Sequence, residues 1–332
     1  MRLFGRDKAV DKKKDIPGKN VLDRWRNKRE ETEKKETERS SNLKPTTEQD
    51  IPDETAVTEN LYIKEAAEKP DWLQVSAASL IGSRKNQQDS LGYTFAKDKG
   101  FLAVVCDGMG GLGGGELASF TACSSLLAQF KKSKEESPPE FFMHTACVLD
   151  EEVAGITGKA GEPLGAGTTL VSVWLKQDRL FWLSVGDSKI YLVRNHNTTC
   201  LTTAHNYRML LEKRLQDKTI TQEQYDAGLA QGEALVSYIG MCGLKYMDIS
   251  MEGLALEAGD QIVLCSDGFY RQCSEEQLAQ CLDELSGEYE TYAGKMAEAV
   301  IRNQPRRMDN TTLILIRYTP VENKQEKGEN EK

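Results

Sequence analysis

The sequence predicts an α+β protein built on antiparallel sheets. Three observations carry that expectation: short apolar, β-rich runs, turn residues between several of them, and amphipathic helix patterns that cluster instead of alternating strictly with strands. The runs are LQVSAASL from Leu73, FLAVVC from Phe101, TTLVSVWLK from Thr168, RLFWLSVG from Arg179, KIYLVR from Lys189, DQIVLC from Asp260 and TTLILIRY from Thr311. Turn residues at Lys176-Gln177-Asp178 and at Gly186-Asp187-Ser188 join neighbouring runs and favour antiparallel pairing. Helical periodicity is expected over 115–131, 139–154, 207–217, 221–231, 274–285 and 289–303, with Ser274 followed by Glu276 and Gln277 as a helix start. No internal repeat is visible.

Outside this pattern the chain is polar at both ends. Residues 1–70 are dominated by Lys, Glu, Asp, Thr, Asn and Ser, with too few large apolar side chains to offset the entropy of ordering the backbone. They read as a disordered charged extension, basic in its first half and acidic in its second. It is either a plain solvated tail or a docking arm. Residues 321–332 read as a second charged tail, leaving 71–320 as the folded domain.

Composition narrows the function. A net charge of -9 over 332 residues argues against a nucleic-acid partner, whose phosphates require a dense basic surface. No apolar stretch approaches the roughly 20 residues of a membrane helix. The opening MRLFGRDKAV lacks the apolar core of a secretory signal, so a cytoplasmic location is expected. The eight cysteines sit mostly in apolar runs without paired C-x-x-C spacing and read as reduced thiols.

The chemistry is signalled by aspartates at strand ends. Asp107 ends FLAVVC and opens DGMGG, Asp267 follows DQIVLCS and opens DGF, and Asp309 precedes Asn310 and the strand TTLILI. A single Asp-Gly is usually a turn. Several carboxylates at the ends of buried strands are costly unless paired or bound to a cation, and oxygen ligands suit Mg²⁺ or Mn²⁺.

In order along the chain stand G-S-R-K-N-Q-Q-D-S at 82–90, D-G-M-G-G-L-G-G-G-E-L-A-S at 107–119, G-A-G-T-T-L-V at 165–171, V-G-D-S-K-I-Y at 185–191, C-S-D-G at 265–268 and D-N-T-T at 309–312. Together these resemble the motifs of the type 2C (PPM) metal-dependent serine/threonine protein phosphatases, of the bacterial type. The resemblance implies a four-layer αββα sandwich of two antiparallel β-sheets flanked by helices. It also implies two divalent cations, Mn²⁺ or Mg²⁺. Asp107 would bridge both, the Gly108 carbonyl would help hold the second, and Asp267 and Asp309 would complete the first. Asp89 would act near the second through water, Arg84 would bind phosphate, and Asp187 resembles a ligand of a third, weaker metal. Arg84 also fits a surface ion pair, and Asp187 a hairpin turn. The implied reaction is hydrolysis of phosphoserine and phosphothreonine on a phosphorylated protein substrate, opposing a serine/threonine kinase pathway.

The sequence departs from the family at Gln87 and Gln88, where Asn and then Glu or Gln usually precede the aspartate, at Lys189, where Arg is common, and at Ala204, where Asp often precedes His205. Residues 205–240 correspond to the family's variable flap. Two rival motifs are present. Cys265 to Arg271 fits the C-x-x-G-x-x-R spacing of cysteine phosphatases, but Asp267 inside it opposes both a thiolate and a bound phosphate. Gly108, Gly110 and Gly113 fit a dinucleotide G-x-G-x-x-G, but Asp107 would repel a pyrophosphate. The three histidines show no zinc spacing. His205 remains a candidate near the site. A rival of another class is a catalytically silent phosphatase-like domain that binds a phosphoprotein or regulates a kinase.

Overall fold

Strand β4 (Gly100–Met109) shows how the chain builds its layers, because its side chains alternate between two apolar surroundings. Phe101, Ala103 and Val105 enter one cluster, while Leu102, Val104 and Cys106 enter another, and all six are buried. A strand covered on both faces shows no polar alternation, which is why FLAVVC reads as a continuous apolar run. The computed structural model describes residues 62–64, 70–111, 114–158, 161–303 and 308–320. Most of the 1–70 extension and all of the 321–332 tail lie outside the described residues.

One sheet has the order β1 (Tyr62–Lys64), β3 (Asp89–Ala96), β4, β6 (Leu170–Lys176), β7 (Arg179–Val185) and β10 (Asp248–Ile249). Short strands β5 (Gly167–Thr168) and β11 (Leu254–Ala255) pair with β4 and β7. The second sheet has the order β2 (Leu73–Leu80), β13 (Thr311–Tyr318), β12 (Gln261–Cys265), β8 (Lys189–Arg194) and β9 (Asn197–Cys200). Their pairings are antiparallel except that of β1 with β3, which is parallel. Tyr62–Lys64 thus joins a sheet although the sequence places it in the polar extension.

Between the sheets lie Leu91, Phe101, Val105, Val171, Val173 and Leu175 from the first, and Val75, Ile190, Ile262, Leu264, Ile314 and Ile316 from the second. Helices α1 (Gly114–Lys132) and α2 (Pro138–Ala154) cover the outer face of the first sheet. In α1 the residues Ala118, Ala122, Leu126 and Phe130 recur every fourth position and make one buried stripe. Their layer closes around Trp174, whose ring meets Phe130, Phe141 and Phe142 edge-on with centroids 5.0, 5.4 and 6.4 Å away. The outer face of the second sheet, with Tyr191, Val263, Cys265, Leu313 and Leu315, is covered by α6 (Glu275–Glu284) and α7 (Tyr292–Asn303). The result is the expected four-layer αββα sandwich.

Two readings need correction. Gly186-Asp187-Ser188 is not a hairpin turn: β7 belongs to the first sheet and β8 to the second, so these residues carry the chain from one sheet to the other. Strand β3 was not among the predicted runs, because Ser90, Gly92 and Thr94 break its apolar pattern. Ser90 and Thr94 are nevertheless buried, and the Ser90 hydroxyl pairs with that of Ser119 on α1 at 2.9 Å. Between β9 and β10, the 205–240 region carries α3 (Tyr207–Gln216), N-capped by Asn206, and α4 (Gln222–Gly228), which starts with a capping box on Thr221 and Gln224.

Candidate metal centre

Antiparallel pairing brings the strand-end aspartates to one end of both sheets. Asp89 opens β3 directly opposite Asp107 on β4. The end of β12 pairs with the start of β13, so Asp267, first residue of the short helix α5 (Asp267–Tyr270), stands beside the Asp309-Asn310 segment. Asp187, in the crossing between the sheets, is close enough to Asp107 to push its carboxyl up, and Asp267 in turn pushes up that of Asp187.

The backbone around Asp107 is tightly fixed. Its N–H donates to the Thr169 hydroxyl at 3.0 Å, and its carbonyl accepts from the Thr169 N–H at 2.8 Å and the Thr168 hydroxyl at 2.9 Å. Gly108 must be glycine, since a β-carbon there would overlap the carbonyl oxygens of Gly115 and Gln88. Its N–H donates to the Gln88 carbonyl at 3.0 Å.

The loop carrying Arg84 is sewn to the Asp309 segment by Asn310. The Asn310 amide donates to the carbonyls of Ile81 and Asn86 at 2.9 and 3.1 Å, and its oxygen accepts from the Gln88 N–H at 2.8 Å. Ser83 adds reciprocal bonds to Met308. In the sequence Asn310 is marked only weakly. Its signal was the D-N pair itself, since a short side-chain amide can satisfy loop backbone on both sides.

Electrostatically the site is overloaded with negative charge. Burial, followed by repulsion from Asp89, Asp267, Asp187 and Asp309, pushes the Asp107 carboxyl well above the ordinary carboxylate range. Burial lifts Asp89 to about 7, against bonds from Thr312 and from the Ser266 hydroxyl, which lies 2.8 Å from Oδ2. Burial and the charge of Asp267 lift Asp187 to about 7. Asp267 is raised chiefly by burial, while Arg271 opposes the shift and a hydrogen bond links its carboxyl to that of Asp107. Carboxyls crowded this closely must share protons or accept a cation.

Other groups already hold some of these carboxylates. Arg84 Nη2 lies 2.7 Å from Asp309 Oδ2 and Arg271 Nη2 lies 3.2 Å from Asp267 Oδ2. Among the described residues no three His, Cys, Asp or Glu side chains form a closed ligand set. The donor set nonetheless fits hard divalent cations: it is all oxygen, it is negatively charged beyond what the two arginines balance, and it stands on rigid strand ends.

Gln88 and Gln87 serve the backbone. Gln88 Nε2 donates to the Gly110 carbonyl at 3.1 Å, and Gln87 is buried between the Ser79 hydroxyl and the Asp89 N–H. Lys189 places its ammonium 4.3 Å from the Tyr270 ring centre. His205 is buried, its Nδ1 accepting from the Gly186 N–H at 3.1 Å and its Nε2 3.4 Å from Asp248, so it anchors the flap to the Asp187 crossing. Arg271 was missed as a site residue; its i,i+4 spacing from Asp267 at a helix start was the available signal.

The cysteine rival fails on geometry. Cys265 is fully buried among Val263, Phe269 and the outer helices, and burial drives its thiol well above the usual value, so no thiolate is available there.

Residues 78–304 match the family model described as protein phosphatase 2C. The serine/threonine phosphatase stp of Listeria monocytogenes is 28% identical over 204 residues, covering 60% of this chain and 78% of that protein. The protein phosphatase PhpP of Streptococcus pneumoniae is 23% identical over 250 residues, covering 74% and 97%. Among solved structures, the S. agalactiae serine/threonine phosphatase superposes with a TM-score of 0.64 at 24% identity, covering 75% of this chain and 100% of its own. The catalytic domain of PstP, solved with two manganese ions, gives 0.58 at 23% identity, covering 75% and 99%. The ordered motifs, the αββα sandwich and the match over most of the folded part agree: this chain belongs to the protein phosphatase 2C family, of the bacterial type.

Proposed function

We propose that the protein hydrolyses phosphoserine and phosphothreonine on proteins in a reaction that depends on two divalent cations. The observation that carries this reading is the convergence of Asp89, Asp107, Asp187, Asp267 and Asp309 at one end of the sandwich, where burial and neighbouring charge push the carboxyls of Asp89, Asp107, Asp187 and Asp267 up in proton affinity. Asp107, Asp267 and Asp309 would hold one cation; Asp107 and the Gly108 carbonyl would hold the other, with Asp89 reaching it through water. Such cations, when bound, polarise the phosphoryl group and lower the pKa of an attacking water. The PstP structure contains two manganese ions, which supports Mn²⁺.

The chain's own residues supply position and charge. Thr168, Thr169 and the Gly108–Gly115 backbone contact hold Asp107 in place. Arg84 is exposed at the rim, and its guanidinium, 2.7 Å from Asp309, can turn from that carboxylate to the oxygens of an incoming phosphoryl group, offering a planar fork of donors. Cys265 cannot serve as a phosphorylated nucleophile, since it is sealed in the core.

The substrate would be a protein phosphorylated by a serine/threonine kinase, in the cytoplasm. No helix among the described residues is long and apolar enough to cross a membrane. A phosphoserine- and phosphothreonine-peptide hydrolysis assay under Mn²⁺ titration tests the proposal. Turnover that rises with Mn²⁺ and vanishes with EDTA is expected. No turnover with either Mn²⁺ or Mg²⁺, despite tight binding of a phosphoprotein, would establish the silent domain instead.

A further inference from the structure

Arg271 occupies an unusual position for a cation in a metal-binding protein. Its Nη2 lies 3.2 Å from Asp267 Oδ2, 4.0 Å from Asp187 Oδ2 and 3.4 Å from Glu233 Oε2. One guanidinium thus faces three carboxylates contributed by α5, by the crossing between the sheets and by the flap. One of them, Asp187, resembles a ligand of a third metal, and Asp267 is the site carboxylate that the same guanidinium approaches most closely.

The local geometry fixes this arrangement. Arg271 is the C-cap of α5, one helical turn after Asp267, so its side chain runs back along the helix toward that carboxylate. An arginine guanidinium stays protonated throughout the working pH range, so this group remains positive. Glu233 is held from its other side by Arg208 of α3, whose Nη2 lies 2.7 Å from Glu233 Oε1. The sequence Arg208, Glu233, Arg271, Asp267 therefore runs from the flap helix into the aspartate cluster as alternating charge.

A divalent cation between Asp187 and Asp267 would meet that guanidinium at close range. Mn²⁺ and Mg²⁺ demand oxygen ligands and retained waters in near-octahedral order, and a positively charged guanidinium supplies neither. The residues present therefore do not fit a third cation.

We infer that Arg271 takes the place of the third metal: its guanidinium offsets charge on Asp187 and Asp267 and links them to the flap through Glu233, so that the protein holds two divalent cations and no third at Asp187. This rests on the two-cation reading above.

Counting bound Mn²⁺ tests it, by electron paramagnetic resonance of free Mn²⁺ and by calorimetric titration into the millimolar range, on the full-length chain. The wild type should saturate at two ions. Arg271→Gln should open a third, weaker site and saturate at three, and Arg271→Gln combined with Asp187→Asn should return to two. Arg271→Lys keeps a cation near the pair and should stay at two, and thermal unfolding of each variant checks that it is folded.

A third Mn²⁺ in the wild type that Asp187→Asn abolishes would overturn the inference. So would a count of two in folded Arg271→Gln, and that result would leave the two-cation reading standing. No bound Mn²⁺ in any form would overturn both.

Discussion

At Ser266 a single hydroxyl connects the two sheets to the site. It is fully buried, donates to Asp89 Oδ2 at 2.8 Å and accepts from the Thr312 N–H at 3.1 Å. Groups that orient a metal's ligands from behind typically contribute 10- to 100-fold to affinity. Ser266→Ala should therefore weaken the second Mn²⁺ by about 10-fold in a calorimetric titration and leave the first nearly unchanged. Equal weakening of both ions would mean that Ser266 supports the whole cluster instead of Asp89. The neighbouring Cys265 gives the opposite expectation. Cys265→Ser places a hydroxyl in an apolar layer and should lower stability by about 1–3 kcal/mol in urea unfolding, while Mn²⁺-dependent turnover of the folded protein persists. Loss of turnover in folded Cys265→Ser would revive a thiolate mechanism.

Individual residues also show what the sequence could and could not reveal. Asp107, Asp267 and Asp309 were legible because each sits at the end of an apolar run, and the fold brings those ends together. Arg271 and Asn310 were not, because their importance lies in partners distant in sequence: Glu233 and Asp187 for the first, Ile81 and Asn86 for the second.

Among the elements, the flap region is held to the sandwich by several distinct ties. His205 bonds Gly186, and Ile239 exchanges two backbone bonds with Thr168 beside the Asp107 strand. Asp150 of α2 accepts from the N–H groups of Gly240, Met241 and Gly243 at 2.7, 2.9 and 2.6 Å. That carboxylate is buried, and all three backbone donors converge on it. Asp150→Ala should lower stability by about 3 kcal/mol and speed hydrogen exchange at 240–243. A change under about 0.5 kcal/mol, the ordinary size of a surface substitution, would contradict that role.

Elements also explain where periodicity misled. Apolar runs are legible when both faces are buried, as in β4, whereas β3 is equally buried but relies on Ser90 and Thr94. A glycine-containing link between two strands reads the same whether it closes a hairpin or crosses between sheets. Gly186-Asp187-Ser188 does the second, and that is what delivers Asp187 to the site.

Across the whole molecule, cation binding and folding are linked through protons. In the metal-free protein Asp89 and Asp187 hold their protons to about 7, well above the value near 4 expected for an unfolded aspartate, and Asp107 is shifted the same way. For these raised acids the folded state binds more protons than the unfolded state between those values. Their contribution to metal-free stability is therefore present at low pH and is lost as pH rises toward 7. Mn²⁺ held by Asp107, and by Asp89 through water, would take the place of the protons on those two carboxyls, so its binding should release them. The rise in Tm on adding saturating Mn²⁺ should be larger at pH 8 than at pH 5, and a Mn²⁺ shift independent of pH would show that Asp89 and Asp107 do not hold the ion.

The most direct measurement is hydrolysis of a phosphothreonine peptide by the wild type and by Asp267→Asn under Mn²⁺ titration. Wild-type turnover should rise with Mn²⁺ and disappear with EDTA. In folded Asp267→Asn it should fall by more than the roughly 100-fold that loss of an outer supporting group can cost. Turnover that survives EDTA, or that persists undiminished in Asp267→Asn, would contradict a metal-dependent phosphatase built on these aspartates.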